Sequence, residues 1–164
     1  YEPANVERIM NDHCDIEMRL VSQARYLCVA RAAIEVAVSR LGADDECCGR
    51  VMLALDEALS NVIRHGYEDQ EDGPIWLKFN PREHDGRRGF TVIVEDRGRQ
   101  ADPASIQPRR LEDVRPGGLG VHIIREVMDE VDFAKREGGG MRLTMTKWLD
   151  DQSSPTEPQE EPSP

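Results

Sequence analysis

The stretch Val51-Met-Leu-Ala-Leu-Asp-Glu-Ala-Leu-Ser-Asn-Val-Ile-Arg-His-Gly-Tyr67 leaves little freedom in what this chain can fold into. Met52, Leu55, Leu59 and Val62 recur at helical spacing, the pattern of an amphipathic helix with one buried stripe. Glu57 and Asn61 are four apart, so they stand one above the other on a common face nearly opposite that stripe. Arg64 and His65 carry this face on for another turn. A carboxylate and a carboxamide aligned above a rigid apolar base suit a metal-bound phosphate. Two residues facing water would look the same, and the helix by itself favours that plainer reading.

The neighbouring segments say what the helix packs against. Ile16, Met18 and Leu20 alternate with charged residues, as in a half-buried edge strand. Leu27, Ala30, Ile34, Ala37, Val38 and Leu41 follow helical spacing, and Gly42 is placed to end that helix in the left-handed conformation. Asp44 or Asp45 then caps the next helix, the one containing the opening stretch, which closes near Gly66. Ile75, Leu77 and Phe79 alternate with Trp76 and Lys78 in a strand, and Asp85-Gly86 signals a hairpin. The run Phe90–Glu95, more continuously apolar and β-branched, reads as a central strand with Asp96 at its end.

Residues 97–117 form a long connection rich in Pro, Gly and charge, a length that compact domains reserve for lids and binding segments. A glycine-led helix follows, with Val121, Ile124, Val127 and Met128 facing inward. Val131 and Phe133, then Met141, Leu143 and Met145, give two last strands joined across Gly138–Gly140. The fold expected is α+β: a two-layer α/β sandwich with a mixed sheet and helices on one face. One domain over 15–149 is expected, between an N-terminal extension at 1–14 and an acidic, Pro-rich, disordered tail at 150–164.

Charge narrows the function. The net charge is −11, and without the five carboxylates of residues 150–164 the chain still carries about −6, against the positive footprint that direct nucleic-acid binding needs. The four cysteines and four histidines make no C-x-x-C or other zinc spacing, which fits free thiols in a reducing cytoplasm. No stretch has the length of a membrane span and no apolar signal segment opens the chain, so a cytoplasmic location without membrane contact is expected.

Three separated features then converge. Glu57 and Asn61 share a helix face. Asp96-Arg-Gly98 ends the best strand, where a carboxylate can accept a hydrogen bond from the exocyclic amine of a base and a glycine lets a flat ring approach the backbone. Gly117-Gly-Leu-Gly120 runs straight into a helix, offering backbone N–H groups and a positive dipole end to phosphate. Asp-x-Gly alone is usually a turn, and Gly-Gly-x-Gly alone is as often a hinge. It is their order along one chain that carries weight.

In that order the sequence resembles the bacterial anti-sigma-factor serine-protein kinases. These belong to the ATPase superfamily shared by gyrase, the heat-shock chaperone, sensor histidine kinases and MutL. The resemblance runs from about Ile16 to Leu149. Residues 56–67 (Asp-Glu-Ala-Leu-Ser-Asn-Val-Ile-Arg-His-Gly-Tyr) resemble the family's N box, Val94–Gly98 with Asp102-Pro103 its G1 box, and Gly117–Ile124 its G2 box. The resemblance implies ATP held between helices and sheet beneath a lid lying between the G1-like and G2-like boxes. It implies Asn61 as the Mg²⁺ ligand and Glu57 as the general base toward a substrate hydroxyl. Asp96 and Gly98 would receive adenine, and Gly117, Gly118, Leu119 and Gly120 the phosphates. The implied activity is ATP-dependent phosphorylation of an anti-sigma-factor antagonist, with a sigma factor as second partner and a homodimer as the assembly. Gln100 stands where many relatives have a second glycine, which implies looser adenine contacts, and Met141 stands near where several kinases place a threonine. A sequestering or nucleotide-binding module without transfer activity is the alternative. No segment offers the phospho-accepting histidine and coiled coil of a sensor kinase.

Overall fold

The computed structural model describes residues 14–106 and 119–149. The N-terminal extension to residue 13, the lid from 107 onward, Gly117, Gly118 and the acidic tail lie outside them. The elements run β1 (Ile16–Val21), α1 (Leu27–Arg40), α2 (Asp45–Asn61), β2 (Pro74–His84), β3 (Arg87–Glu95), α3 (Leu119–Val127), β4 (Glu130–Lys135) and β5 (Met141–Trp148). Three helices cover one face of a five-stranded sheet in the order β1-β2-β3-β5-β4.

Local chemistry accounts for most boundaries. A short 3₁₀ turn at Ala24–Tyr26 leads into α1, whose buried residues are Ala30, Ile34 and Val38. Gly42 ends it at φ 96°, where a side chain would be strained. Asp44 caps α2: its Oδ1 accepts from the Cys47 N–H at 2.8 Å, with Asp45 and Glu46 following in the first turn. Asp85 and Gly86, both at positive φ, make the tight β2–β3 turn. Ile75, Leu77 and Phe79 of β2 and Phe90, Val92 and Val94 of β3 are each at most 2% exposed. They meet Leu55 and Leu59 of α2 and Ile124 of α3 in one core, where each large side chain contributes roughly 1.5–3 kcal/mol by leaving water.

The sheet is antiparallel throughout, which corrects the mixed sheet expected from the sequence. The reason is the place of β5. The crossover from β3 through α3 sets β4 parallel to β3, but β5 returns by a tight turn and inserts between them. The parallel strands therefore never hydrogen-bond to one another. β3 is the middle strand as expected, and its C-terminal end delivers Asp96 to the edge of the helical layer.

The end of α2 departs from a plain helix. From Val62 to Gly66 the chain makes a π turn, closed by the Tyr67 N–H to Val62 carbonyl bond at 2.9 Å. π turns concentrate at functional sites because one extra residue re-aims the backbone. Here it presents the Gly66 carbonyl to the Arg99 N–H at 2.7 Å. It also brings the Tyr67 hydroxyl to the Arg97 N–H at 2.8 Å.

Candidate nucleotide site

Between α2, α3 and the sheet lies a cleft of 470 Å³, a size suited to a small-molecule ligand. Glu57 and Asn61 line it from α2, Asp96 and Met141 from the strand ends, and Leu119 and Gly120 from the start of α3. Both α2 residues are half-buried at the wall of the cleft. Ala54 and Ala58, each 1% exposed, extend the buried arc around α2 and leave Glu57 and Asn61 at its border, over the cleft.

Gly120 shows how closely the elements meet. A Cβ there would stand 2.5 Å from Glu57 Oε2 and 3.4 Å from Asn61 Nδ2. A side chain at this position would have to push the Glu57 carboxylate aside, which shows how near the start of α3 comes to the two polar groups. The result is a small cradle with a helix N-terminus on one side and the two polar groups on the other, the donor and acceptor set that a phosphate and its cation require. Among the described residues no group of three or more His, Cys, Asp or Glu side chains is disposed to hold a metal by itself. A divalent ion at Asn61 would therefore take its other ligands from phosphate oxygens and water.

Asp96 lies toward the other end. A Cβ on Gly66 would stand 3.7 Å from its Oδ1. Glu57 and Asn61 precede Gly66 on the same helical run, roughly 13 Å and roughly 7.5 Å from it along the axis at about 1.5 Å rise per residue. Asp96 is 3% exposed. Its Oδ1 accepts from the Gly98 N–H at 2.7 Å and the Met141 N–H at 3.3 Å, leaving Oδ2 for a donor on a ligand. Burial raises its pKa, and the two backbone hydrogen bonds and the charge of Arg136 offset that only in part. Gly98 is required by packing: a Cβ would clash with Gly66, standing 2.8 Å from its Cα and closer still to its carbonyl. Val62, Phe133 and Leu143 add apolar surface to the cleft.

The structure thus brings Glu57, Asn61, Asp96, Leu119 and Gly120 to one cleft, with Gly98 in the loop beside Asp96. Gln100 does not loosen this loop. Its Nε2 donates to the Arg136 carbonyl at 2.8 Å and the Gly140 carbonyl at 3.2 Å, tying the loop to the β4–β5 turn. Gly66 and Tyr67 escaped the sequence reading as parts of the site, although they end the same His-Gly-Tyr run; their role depends on the π turn, which periodicity does not reveal.

The model of the histidine kinase-like ATPase domain matches residues 20–147. The chain belongs to this family. Within it, the chain is similar to the serine-protein kinase RsbW of Halalkalibacterium halodurans, at 30% identity over 142 residues, 82% of this chain and 83% of that protein. The RsbW of Oceanobacillus iheyensis is 27% identical over 164 residues, covering 90% of this chain and all of the relative. Two solved structures share the fold. The Pseudomonas aeruginosa SiaB–SiaC complex aligns with TM-score 0.57 at 12% identity over 87% of this chain and 94% of the other. A Mycobacterium tuberculosis protein, crystallised as its RsbU and RsbW domains, aligns with TM-score 0.54 at 18% identity over 80% of this chain and 31% of the other.

For a histidine kinase-like ATPase domain of this geometry, Asp96→Asn separates recognition from stability. Because burial raises the Asp96 pKa, the folded state holds that proton more tightly than the unfolded chain does. The stability it contributes therefore falls as pH climbs from the ordinary 3.8 through the raised value. At pH 7 the buried charge is a net cost, and the asparagine variant should melt no lower than the wild type. Its Oδ1 can keep both backbone donors, which puts an amide N–H₂ where the acceptor Oδ2 stood. On the expectation from the sequence resemblance that Oδ2 takes the amine of adenine, titration calorimetry should show ATP affinity reduced on the order of 10²-fold, as a mismatched buried donor implies.

Proposed function

We propose that the protein is an ATP- and Mg²⁺-dependent serine/threonine kinase that phosphorylates an anti-sigma-factor antagonist and also sequesters a sigma factor. The observation that carries this reading is the meeting of Glu57, Asn61 and the Gly120 helix start at one end of a cleft whose other end holds Asp96. The RsbW names of the relatives support it. In this reading Asp96 and Gly98 take adenine, Leu119 and Gly120 with the preceding Gly117 and Gly118 take the phosphates, and Asn61 holds the cation. Mg²⁺ when bound supplies charge neutralisation at the transferring phosphate. Glu57 accepts the proton of the substrate serine or threonine hydroxyl as it attacks. The α3 N-terminus stabilises negative charge on the transferring group.

The test is transfer of label from the γ-phosphate of Mg-ATP to an antagonist-domain protein. ATP binding without any transfer would leave a sequestering module in its place. A second measurement addresses the metal. Asn61→Ala should lower ATP affinity about tenfold or more in the presence of Mg²⁺ and change it little in EDTA. Equal affinity for both proteins in Mg²⁺ would remove Asn61 from the metal site.

Partner surfaces are supported by the outer side of the helical layer. Val29 and Val36 on α1 and Leu53 on α2 are 53%, 60% and 48% exposed, beside the Arg31–Asp56 ion pair at 3.3 Å. Exposed apolar side chains rimmed by charge suit contact with a sigma factor or a second copy of the chain. No helix among the described residues is long and apolar enough to cross a membrane, and the cytoplasmic location stands as part of the proposal.

A further inference from the structure

The face of the sheet turned away from the helices carries a charged row that the cleft does not use. Arg19, Trp76, Glu95 and Arg142 stand opposite one another across β1, β2, β3 and β5. Glu95 is 3% exposed. Arg142 Nε donates to it at 2.6 Å, and Lys78 Nζ and Arg136 Nε each lie at 3.5 Å. Burial alone would raise the Glu95 pKa, but the Arg142 hydrogen bond and the surrounding cations prevail and hold it below the usual carboxylate value.

Arg136 differs from the other two cations. It enters from the turn after β4, and its guanidinium lies over the Trp76 ring, 5.1 Å from the centroid. Its Nη1 donates to the backbone carbonyl of Asp96 at 2.7 Å. Its own backbone closes the β4–β5 turn, with the N–H donating to the Gly140 carbonyl at 3.0 Å. Its carbonyl is the acceptor for Gln100. One residue therefore grips the strand end that carries Asp96 with its side chain, and the following loop with its backbone. It does not line the cleft.

We propose that Arg136 is a positioning residue for base recognition. Wedged against Trp76 and Glu95 on the far side of the sheet, it sets the direction of the Asp96 carboxylate and, with Gln100, the height of the loop beside it. This rests on the reading of Asp96 as the group that receives the adenine amine. An aspartate can offer its oxygen to that amine only if its backbone does not rotate. The two N–H groups on Oδ1 hold the carboxylate relative to the neighbouring backbone, and Arg136 holds the backbone itself. Selectivity for adenine then depends on a side chain that never meets the nucleotide.

The experiment compares dissociation constants of the full chain for ATP and for inosine triphosphate, which has a carbonyl where adenine has its amine. Arg136→Ala should lower the preference for ATP about tenfold, the worth of one charge-assisted hydrogen bond, chiefly by weakening ATP. Arg142→Ala removes a closer partner of Glu95 than Arg136 is without touching Asp96, and should destabilise the fold while leaving the preference within about twofold. Gln100→Ala removes only the tie to the loop and should lower the preference about threefold; it carries the test if Arg136→Ala does not fold. A wild-type preference lost in Asp96→Asn but unchanged in both Arg136→Ala and Gln100→Ala would overturn the inference and leave the reading of Asp96 standing. No wild-type preference at all would overturn both. Equal losses in Arg136→Ala and Arg142→Ala would reduce Arg136 to a general stabiliser and overturn the inference alone.

Discussion

Glu57→Ala is expected to cut phosphoryl transfer to an antagonist-domain protein by roughly 10²–10⁴-fold, the range over which a positioned general base contributes. ATP affinity should stay within about threefold, because the role proposed for Glu57 is toward the incoming hydroxyl and not the nucleotide. The structural cost should be small as well. Glu57 is half-buried, alanine is the best helix former, and the core side chains of this helix, Leu55 and Leu59, are untouched. Single-turnover transfer assays beside calorimetric ATP titration check both halves. Glu57→Gln is the sharper variant, keeping the shape beside Gly120 while removing the base, and it should be as inactive as alanine. Transfer at the wild-type rate in either variant would remove Glu57 from the chemistry.

Gly140→Ala is expected to be among the most destabilising single substitutions in the chain, at roughly 3–5 kcal/mol in urea unfolding. Gly140 sits at φ 83°, where a side chain costs about 1–2 kcal/mol of backbone strain. Its new Cβ would also fall inside the contact distance of the Asp96 carbonyl and 2.6 Å from Arg97 Cα. Those atoms are backbone at the end of the central strand and cannot swing aside, so overpacking adds a few kcal/mol more. Gly138 is the control. It has nearly the same φ, 82°, but nothing lies within 4 Å of an added Cβ, so Gly138→Ala should cost only the strain. Equal destabilisation of the two variants would show that backbone conformation, and not the approach to Asp96, sets the demand at Gly140.

Much of the fold was legible because it is written in short-range chemistry. The Leu55–Leu59 stripe, the Asp44 cap, the positive-φ Gly42 and the Asp85-Gly86 hairpin each follow from the residues within a turn or two of themselves. The site was legible for another reason: three weak motifs in a particular order are far less ambiguous than any one of them, and the cleft does gather Glu57, Asn61, Asp96 and Gly120. What escaped depends on partners distant in sequence. β5 lies between β3 and β4 because, besides its local hairpin with β4, it pairs with β3 across 47 to 59 residues of chain, which no period records. The π turn after Asn61 is held open by bonds to Arg97 and Arg99. Gln100 occupies what reads as a glycine position, yet it finds acceptors at Arg136 and Gly140 that only the folded turn provides. Glu95, a charged residue at the end of an apolar strand, gave no sign that three cations would bury it.

The π turn has one more consequence. Asn61 is the last residue of the helix that the turn continues, and the turn's own Gly66 and Tyr67 anchor the loop beside Asp96. Both ends of the cleft are thus mounted on a single continuous length of backbone, and their separation is a count of residues along it. Inserting one residue between Val62 and Gly66 would therefore shift the two ends relative to each other without altering a single group that lines them.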